Sequence, residues 1–255
     1  MKIKEYLTNI IRKNESLLKF CRKIKFFAEV LLKDFLNFEK ISLFIKVFPY
    51  TMVGHKRLSS IYKITELVIK EKIPGAFVEC GVWKGGCSAV MAFLAGKEGI
   101  GRKTWLFDSF EGLPEPTKED GAFAKSYAQN RIDGKLKKIN KCVGPLEAAQ
   151  KILFSILKLD KKNIVIEKGW FQHILPQAKN KIGEISILRL DADWYESTKY
   201  CLDNLYDNVV SGGYIVIDDY DCWEGCKKAI DEFLSKKNIA SLKETYKAGA
   251  YFRKP

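Results

Sequence analysis

The spacing of hydrophobic residues changes near Gly75, and the two parts of the chain predict different structures. In residues 1–48 apolar side chains recur every three or four positions between basic ones, and the segment contains neither glycine nor proline. This periodicity predicts amphipathic helices. Pro49 interrupts the pattern, which resumes over residues 50–74 as a second helical stretch and stops at the Pro74–Gly75 pair.

Beyond Gly75 short apolar runs alternate with helical stretches. The runs are rich in β-branched and aromatic residues, and they cover 76–80, 104–108, 163–167, 185–191 and 214–219. The helical stretches cover 86–96, 145–158, 195–209 and 224–237. Runs that are apolar at every position are typical of strands buried on both faces of a parallel sheet. Because strands and helices alternate, we predict an α/β fold with a doubly wound, mostly parallel sheet and an α-helical N-terminal extension. A last run, 248–254, would add an antiparallel edge strand.

Composition narrows the classes of protein to which this chain can belong. Hydrophobic residues make up 47% of the 255 positions, which is enough for a sizeable core and argues against general disorder. No apolar run approaches the roughly 20 residues of a membrane-spanning helix. The charges scattered through the first residues are not those of a cleaved signal peptide. Seven cysteines at scattered positions predict reduced thiols in a cytoplasmic protein.

The chain carries a formal net charge of +13, and its basic residues are concentrated near the start. Residues 1–57 hold thirteen Lys and Arg but five Asp and Glu, a net charge of +8. A basic excess favours anionic partners such as a membrane surface, a nucleic acid or a phosphate-bearing substrate, although it also serves solubility. We expect residues 1–48 either to pack on the protein or a second subunit, or to lie on the inner face of a membrane. We expect no nucleic acid partner.

The first predicted strand ends in a glycine turn that carries an acid. Glu79 is followed by Gly81, Gly85 and Gly86 in the pattern E-x-G-x-x-x-G-G, which opens a helix. Glycines allow a tight turn and a close approach of the backbone to a ligand. The pattern differs from the dinucleotide fingerprint, because a carboxylate in the turn would repel a pyrophosphate. It suits the cationic sulfonium and amino groups of S-adenosylmethionine, and a glycine turn with a structural role only is the alternative.

Further candidate ligands for such a cofactor follow the second and third strands. Asp108, with Ser109 after it, ends the second strand, where an acid is positioned to accept hydrogen bonds from ribose hydroxyls. The alternative for Asp108 is the capping of a turn or helix. Trp170 follows the third strand, and Trp194 and Trp223 follow later ones. Such aromatic faces either stack on adenine or sugar rings or pack in the core.

Carboxylates also gather after the fourth and fifth strands. Asp191 and Asp193 follow the fourth strand as a D-x-D pair, and Asp218 and Asp219 follow the fifth. If these strands are neighbours, three or four carboxylates meet at one edge of the sheet, which is unfavourable unless they share a cation or a proton. Carboxylate oxygens suit Mg²⁺ or Mn²⁺ better than they suit a soft metal. The pattern therefore predicts a site for a hard divalent cation, with helix capping as the alternative for each aspartate taken alone.

Five stretches of the chain together resemble one known family. They read YTMVGHKRL (50–58), VECGVWKGG (78–86), WLFDSFEGLPEP (105–116), LRLDADWYEST (188–198) and SGGYIVIDDYDCWEGCKKAIDEF (211–233). In these motifs the chain resembles the macrocin O-methyltransferase (TylF/MycF-like) family, which methylates sugar hydroxyls with S-adenosylmethionine and Mg²⁺. The resemblance leaves out the first 48 residues.

The resemblance implies roles for the candidate residues. The cofactor site would contain Glu79, Gly81, Asp108 and Ser109, to which the sequence pattern adds Gly85 and Trp170. The metal ligands would be Asp191, Asp218 and Asp219. Asp193 would be the general base that accepts the proton of the attacking hydroxyl.

These observations lead to one prediction and two alternatives. We predict an S-adenosylmethionine-dependent O-methyltransferase of a sugar or glycoside, with residues 1–48 as a helical extension and 49–255 as the catalytic domain of a homo-oligomer. The first alternative is a metal-dependent O-methyltransferase of a catechol-like molecule. The second is a membrane-surface binding module on a methyltransferase fold, which the four aspartates disfavour because an unused site has no reason to keep their mutual repulsion. Residues 111–145 form a long connection of the kind that covers active sites.

Overall fold

A computed structural model describes residues 15–239, 242–246 and 249–255 of the chain. The helices are α1 (Glu15–Lys33), α2 (Phe38–Val47), α3 (His55–Lys70), α4 (Gly86–Glu98), α5 (Gly121–Tyr127), α6 (Leu146–Gln150), α7 (Phe171–Ile182), α8 (Tyr195–Leu205) and α9 (Glu224–Lys236). The strands are β1 (Ala76–Cys80), β2 (Thr104–Asp108), β3 (Ile164–Lys168), β4 (Ile185–Leu190), β5 (Val209–Ile217), β6 (Lys243–Tyr246) and β7 (Gly249–Arg253). The start of the predicted N-terminal extension, residues 1–14, lies outside the described residues.

The strands form one seven-stranded sheet in the order β3-β2-β1-β4-β5-β7-β6. The first five strands in the chain pair in parallel, and β7 runs antiparallel to both β5 and β6. The predicted doubly wound, mostly parallel sheet is confirmed. The run 248–254 does form an antiparallel strand, but β6 lies outside it, so the prediction of an edge strand there was wrong. Strand order reverses between β1 and β4, and ligands of such sheets bind beside this point, at the carboxyl ends of the strands.

Alternate residues of the inner strands face two different hydrophobic layers, which explains why the strands are apolar at every position. Phe77 of β1 packs in the layer that α2, α3 and α4 cover, and the next residue, Val78, packs in the layer under α7, α8 and α9. Ile187 and Leu188 of β4 repeat the alternation. Burying an aliphatic or aromatic side chain fully contributes about 1.5–3 kcal/mol. The sheet is therefore held from both faces, and the strand ends that carry the predicted site are fixed relative to each other.

The helices α1 and α2 of the predicted extension pack on one of these two layers. Phe26 and Val30 of α1 and Phe44 of α2 are buried in the cluster that contains Phe77. Other apolar side chains of this segment are exposed, among them Leu18, Phe20, Ile24, Leu31, Leu32, Phe35, Leu36 and Phe38. Among the helices of the described ranges, none combines the length and the apolar character that crossing a membrane requires. The division of the chain after residue 48 stays a prediction.

A buried polar cluster joins α1, α2 and α3 where the first helix ends. The Asp34 carboxylate lies 2.8 Å from Nζ of Lys40 and 2.6 Å from Nε2 of His55. Burial acts to raise the pKa of Asp34, but Lys40 and His55 outweigh it and hold this pKa below its ordinary value. The chain turns before α2 at Asn37, whose side chain caps the helix by accepting a hydrogen bond from the Lys40 backbone at 2.9 Å. The two N-terminal helices are thus tied to the rest of the protein by charge as well as by apolar contact.

The long connection after β2 contains α5 and a small hydrophobic cluster of its own. Leu113 and Ile139, from its two ends, pack together with Trp194 at the start of α8. The backbone N–H of Ile139 donates to the Leu113 carbonyl at 2.9 Å. Oδ1 of Asp120 accepts a hydrogen bond from the Tyr195 backbone at 2.6 Å. The connection is therefore attached to the carboxyl end of β4 through the first turn of α8.

Candidate active site

The predicted site residues lie around one cavity at the carboxyl ends of β1 and β4. This cavity has a volume of about 1010 Å³ and opens to solvent. Its lining contains Glu79, Gly81, Asp108, Ser109, Trp170, Asp191, Asp193, Asp218 and Asp219. Gly85 packs behind the wall instead, where a Cβ atom on it would be 3.2 Å from Ala149. The structure brings the predicted residues together, and their individual roles stay predictions.

Two glycines of the turn after β1 have backbone conformations that other residues rarely adopt. The φ angle is +90° at Gly81 and +86° at Gly85, both in the left-handed region. A Cβ atom on Gly81 would lie 1.9 Å from the carbonyl oxygen of Asp191. The turn after β1 and the loop after β4 can come this close only because Gly81 has no side chain. Gly85 precedes the first residue of α4 and directs the chain into that helix.

Asp108, at the end of β2, holds the glycine turn in place. Its Oδ2 accepts hydrogen bonds from the backbone N–H groups of Val82 at 2.6 Å and Trp83 at 2.8 Å, and its Oδ1 accepts one from Phe110 at 2.6 Å. Burial raises the pKa of Asp108, and these three N–H groups act against the rise. This is the capping role that stood as the alternative to ribose binding. An ionised carboxylate offers about four lone-pair sites, so one site is left for a ribose hydroxyl, and the ribose role stays a prediction.

Arg189 of β4 is a buried cation at the centre of the site that was not among the residues predicted from the sequence. Its side chain is 1% exposed. It donates to the Glu79 carboxylate, to Oδ2 of Asp191 at 3.0 Å and to Oδ1 of Asp218 at 2.7 Å. Burial acts to lower the pKa of Arg189, but the surrounding acidic groups hold it well above its ordinary value. An arginine inside the mostly apolar run ISILRL was the available signal, because a buried charge requires partners.

Glu79 is almost fully buried beside Arg189. One of its carboxylate oxygens faces the guanidinium group, and the other accepts a hydrogen bond from Ser88. Burial raises the pKa of Glu79 to about 7, against the opposing effects of Arg189 and Ser88. At neutral pH the acid of the glycine turn is therefore poised between its ionised and neutral forms.

Three carboxylates from the loops after β4 and β5 come together at the cavity. Oxygens of Asp191, Asp193 and Asp219 lie within 4.8 Å of one another. Burial, together with the charge of neighbouring aspartates, raises the pKa of Asp193 and of Asp219 well above the ordinary value. Oδ2 of Asp219 is buried and has no hydrogen-bond partner among the described residues. Hard divalent cations bind such oxygens at 2.0–2.6 Å, roughly, so the donor set fits the predicted kind of metal.

Asp218 lies beside this cluster, but its carboxylate faces two arginines. Its Oδ1 accepts a hydrogen bond from Arg189 at 2.7 Å, and its Oδ2 accepts one from Arg57 of α3. Arg57 also donates to the backbone carbonyl of Asp218 at 2.9 Å. The carboxylate cluster therefore differs from the predicted set of metal ligands at one residue. The cluster contains Asp193, whereas the predicted set contains Asp218. Arg57 was not among the predicted site residues, although it belongs to the motif YTMVGHKRL.

Asp193, the predicted base, has an unusual backbone conformation and a fixed side chain. Its φ angle is +56°, in the left-handed region that aspartate tolerates better than most residues do. Its Oδ1 accepts a hydrogen bond from the indole N–H of Trp223 at 2.8 Å. Of the aromatic candidates, Trp170 lines the cavity, whereas Trp194 is buried against Trp223 with ring centroids 4.7 Å apart. Trp223 thus orients the carboxylate of Asp193.

Known proteins are similar to this chain in both sequence and fold. The family model described as Macrocin-O-methyltransferase (TylF) matches residues 45–254. The chain is 38% identical over 192 residues to demethyldecarbamoylnovobiocin O-methyltransferase of Streptomyces niveus, an alignment that covers 75% of this chain and 70% of that protein. It is 34% identical over 206 residues to 8-demethyl-8-(2,3-dimethoxy-alpha-L-rhamnosyl)-tetracenomycin-C 4'-O-methyltransferase of Streptomyces olivaceus, covering 80% of this chain and 75% of that one. The fold matches the structure of the O-methyltransferase NovP with a TM-score of 0.70 and 34% sequence identity, over 80% of this chain and 82% of that one.

Proposed function

Because the chain belongs to the macrocin O-methyltransferase (TylF) family and is an O-methyltransferase, we propose that it methylates a hydroxyl of a sugar or glycoside, with S-adenosylmethionine as donor and a divalent cation as cofactor. The observation that carries the proposal is the meeting of Asp191, Asp193 and Asp219 within 4.8 Å of one another at a cavity beside the glycine turn. The relative from Streptomyces olivaceus is named for a rhamnosyl-bearing substrate, which supports a sugar as the acceptor class.

The proposed donor site lies between the glycine turn and the loop after β2. It consists of Glu79, Gly81, Asp108, Ser109 and Trp170, and Gly85 supports the turn from behind the cavity wall. Asp108 would accept a hydrogen bond from a ribose hydroxyl, Trp170 would stack on adenine, and Glu79 would face the cationic end of the donor. Calorimetric titration with S-adenosylmethionine and with NADH tests this site. We expect binding of S-adenosylmethionine, and binding of NADH alone would refute the donor site.

We assign the cation to Asp191, Asp218 and Asp219. Two of these, Asp191 and Asp219, belong to the carboxylate cluster, and Asp219 has a buried oxygen without a partner among the described residues. Asp218 accepts one hydrogen bond at each oxygen, from Arg189 and from Arg57. Since an ionised carboxylate offers about four lone-pair sites, each oxygen keeps one for a metal. A bound divalent cation would stabilise negative charge on the attacking hydroxyl oxygen.

Asp193 is then the group that accepts the proton. Trp223 holds its Oδ1 at 2.8 Å, which leaves Oδ2 to accept a hydrogen bond from the acceptor hydroxyl. Bound S-adenosylmethionine would supply the methyl group to the hydroxyl oxygen, and its sulfur would keep the electron pair of the broken bond. The hydroxyl proton passes to Asp193. General base catalysis of this kind contributes about 10²–10⁴-fold to the rate.

Two variants separate the metal from the base. Asp193→Asn should bind Mg²⁺ and S-adenosylmethionine as the wild type does but lose about 10²–10⁴-fold in turnover. Asp218→Asn should need more Mg²⁺ for its half-maximal rate and recover part of its activity at excess Mg²⁺. Asp221→Asn is the matched control, because Asp221 follows β5 in the same loop and pairs at 3.5 Å with Lys227 instead. Methyl transfer from labelled donor, measured against Mg²⁺ concentration, gives both quantities.

Each role has a result that would contradict it. If Asp193→Asn weakens Mg²⁺ binding more than Asp218→Asn does, Asp193 is a ligand and not the base. Turnover of Asp193→Asn close to that of the wild type would also end the base assignment. Wild-type activity that persists in EDTA would refute the requirement for a cation.

The acceptor class is tested by a methyl-transfer screen against nucleotide sugars, glycosides and catechols. We expect transfer to sugar hydroxyls. Transfer to catechols alone would favour the catechol-like alternative, and a failure of every acceptor in the presence of bound donor and Mg²⁺ would favour the binding-module alternative.

The predicted surroundings of the enzyme also remain to be tested. We propose that it is cytoplasmic and forms a homo-oligomer, with residues 1–48 either packing on the protein or a second subunit or lying on the inner face of a membrane. Leu32, Leu36 and Phe38 are 77%, 82% and 81% exposed, respectively, which supports contact of this segment with another surface. Sedimentation of the full chain with anionic and with neutral vesicles tests the membrane contact, and light scattering tests the oligomer.

A further inference from the structure

A second cavity lies beside the active-site cavity and has a basic lining. It has a volume of about 820 Å³, and Val53 and Arg57 line both cavities. Its charged residues are Arg22, Lys25, Glu29, Lys56 and Arg57. The lining of this cavity thus contains four cationic side chains and one carboxylate. Like charges gathered in a cleft attract anions and raise their local concentration.

Two cations of this cavity, Arg22 and Lys25, form no ion pair with the part of the chain that the structure describes. Both side chains are exposed, at the mouth of the cavity. No carboxylate of the described residues lies within salt-bridge distance of Arg22 or Lys25. Arg57 is engaged with Asp218 on the side of the active site. The positive charges of Arg22 and Lys25 therefore remain available to attract an anion at the mouth of the cavity.

One wall of the same cavity is apolar. The rings of Phe26 and Phe48 line it with their centroids 4.5 Å apart. The cavity therefore offers an aromatic surface next to a cluster of cations. A ligand that carries a phosphate group on a sugar or nucleoside matches both features, because the ring packs on the apolar wall and the phosphate meets the basic side chains.

We infer that the acceptor sugar carries a phosphate or pyrophosphate group, which binds to Arg22, Lys25 and Arg57 while a sugar hydroxyl reaches the aspartates of the active site. This inference rests on the proposed function. Arg57 connects the two places, because it lines both cavities and donates to Asp218. Guanidinium groups suit phosphate oxygens through paired hydrogen bonds. Sugar phosphates and nucleotide sugars share this chemistry, whereas a neutral glycoside lacks it.

Calorimetric titration of the full chain with pyrophosphate, in the absence of divalent cations, tests the anion site directly. The wild type should bind pyrophosphate, and the double variant Arg22→Gln/Lys25→Gln should bind it at least tenfold more weakly, since hydrogen bonds to charged groups contribute about 1.5–3 kcal/mol each and 1.4 kcal/mol is a factor of ten. Arg22→Lys, which keeps the charge, should retain most of the affinity. Lys23→Gln is the matched control, because Lys23 is an exposed lysine of the same helix outside the cavity lining and should bind as the wild type does.

Titrations with rhamnose 1-phosphate, thymidine diphosphate rhamnose and methyl rhamnoside identify the source of the phosphate. We expect the two phosphorylated sugars to bind more tightly than the neutral glycoside, and the tighter of the two identifies the acceptor type. Absence of pyrophosphate binding by the wild type, or equal binding by the double variant, would overturn the inference. Because these titrations measure binding alone, a protein that binds pyrophosphate but methylates no sugar would refute the proposed function and leave the anion site standing.

Discussion

An Arg189→Met variant tests whether the buried cation of β4 holds the carboxylates of the site together. The substitution keeps much of the side chain's length but removes the positive charge from among Glu79, Asp191 and Asp218. Removing one partner of a buried ion pair typically costs about 3–5 kcal/mol. The lower end applies here, because the pKa of Glu79 is already about 7 and this carboxyl can take up a proton at little cost. In addition, Asp218 keeps Arg57 as a partner.

A loss of about 3 kcal/mol lowers the melting temperature by roughly 6–12 °C, since each kcal/mol corresponds to about 2–4 °C in a chain of this size. Circular dichroism of the full chain at neutral pH measures this shift. Lys97→Met is the matched control, because Lys97 forms an ion pair with Glu39 in which the two side chains are 50% and 47% exposed. Exposed pairs contribute about 0–1 kcal/mol, so the control should lose no more than about 4 °C.

A second variant identifies the cause of the loss. Adding Glu79→Gln to Arg189→Met removes one of the carboxyl groups that the first change leaves without its cation, so the double variant should melt at a higher temperature than the single one. If Arg189→Met melts within the range of the Lys97→Met control, the buried cation does not stabilise the site.

Three further variants test other features of the structure. Gly81→Ala should destabilise the protein far more than Gly99→Ala, because both have a positive φ but a Cβ atom meets a carbonyl oxygen at 1.9 Å only at Gly81; equal melting temperatures would contradict the close approach. Trp223→Phe should lower kcat about tenfold with unchanged donor affinity, because Asp193 loses a hydrogen bond that orients it; unchanged kcat would mean that Trp223 has no positioning role. Asp34→Asn should lower the free energy of unfolding at neutral pH by about 1–3 kcal/mol. The folded-state pKa of Asp34 lies below its ordinary value, so this difference in the free energy of unfolding should fade as the pH falls below about 4. Denaturant titrations across this range measure the difference, and a difference that does not change with pH would refute the stabilising role of the Asp34 charge.

The strands were largely predictable because their signal is local. β1 and β2 have the bounds that the apolar runs predicted, 76–80 and 104–108. The helix α7 was missed because Pro176 and several polar residues interrupt its pattern, although its buried residues Leu175, Ala178 and Ile182 follow helical spacing. The predicted helix over 145–158 ends as α6 at Gln150 and continues as a π-helical turn over Lys151–Ile156. Hydrophobic periodicity does not separate these two kinds of turn.

The acids of the site were predictable for a similar reason, whereas their partners were not. The location of an aspartate that follows a parallel strand can be predicted from sequence, because the carboxyl ends of all parallel strands lie at one edge of the sheet. Arg57 reaches Asp218 across 161 positions of sequence, and no local pattern contains that contact. Asp193 belongs to the carboxylate cluster and Asp218 does not, because their side chains point in different directions. Arg189 and Arg57 hold the side chain of Asp218, and Trp223 holds that of Asp193.

The connection between β2 and α6 has a consequence for how enzymes of this kind change specificity. Leu113 and Ile139 form their own packing unit, and the attachments to the sheet described above run through Trp194 and through Asp120 with the Tyr195 backbone. The segment also contacts α9 and the loop before it, where Glu119 pairs with Lys228 and Phe123 stacks on Trp223 with ring centroids 5.1 Å apart, so its exchange requires a partner that keeps these anchoring residues. Recombination that exchanges it between homologues would alter what covers the cavity while leaving the aspartates and the glycine turn on their original scaffold.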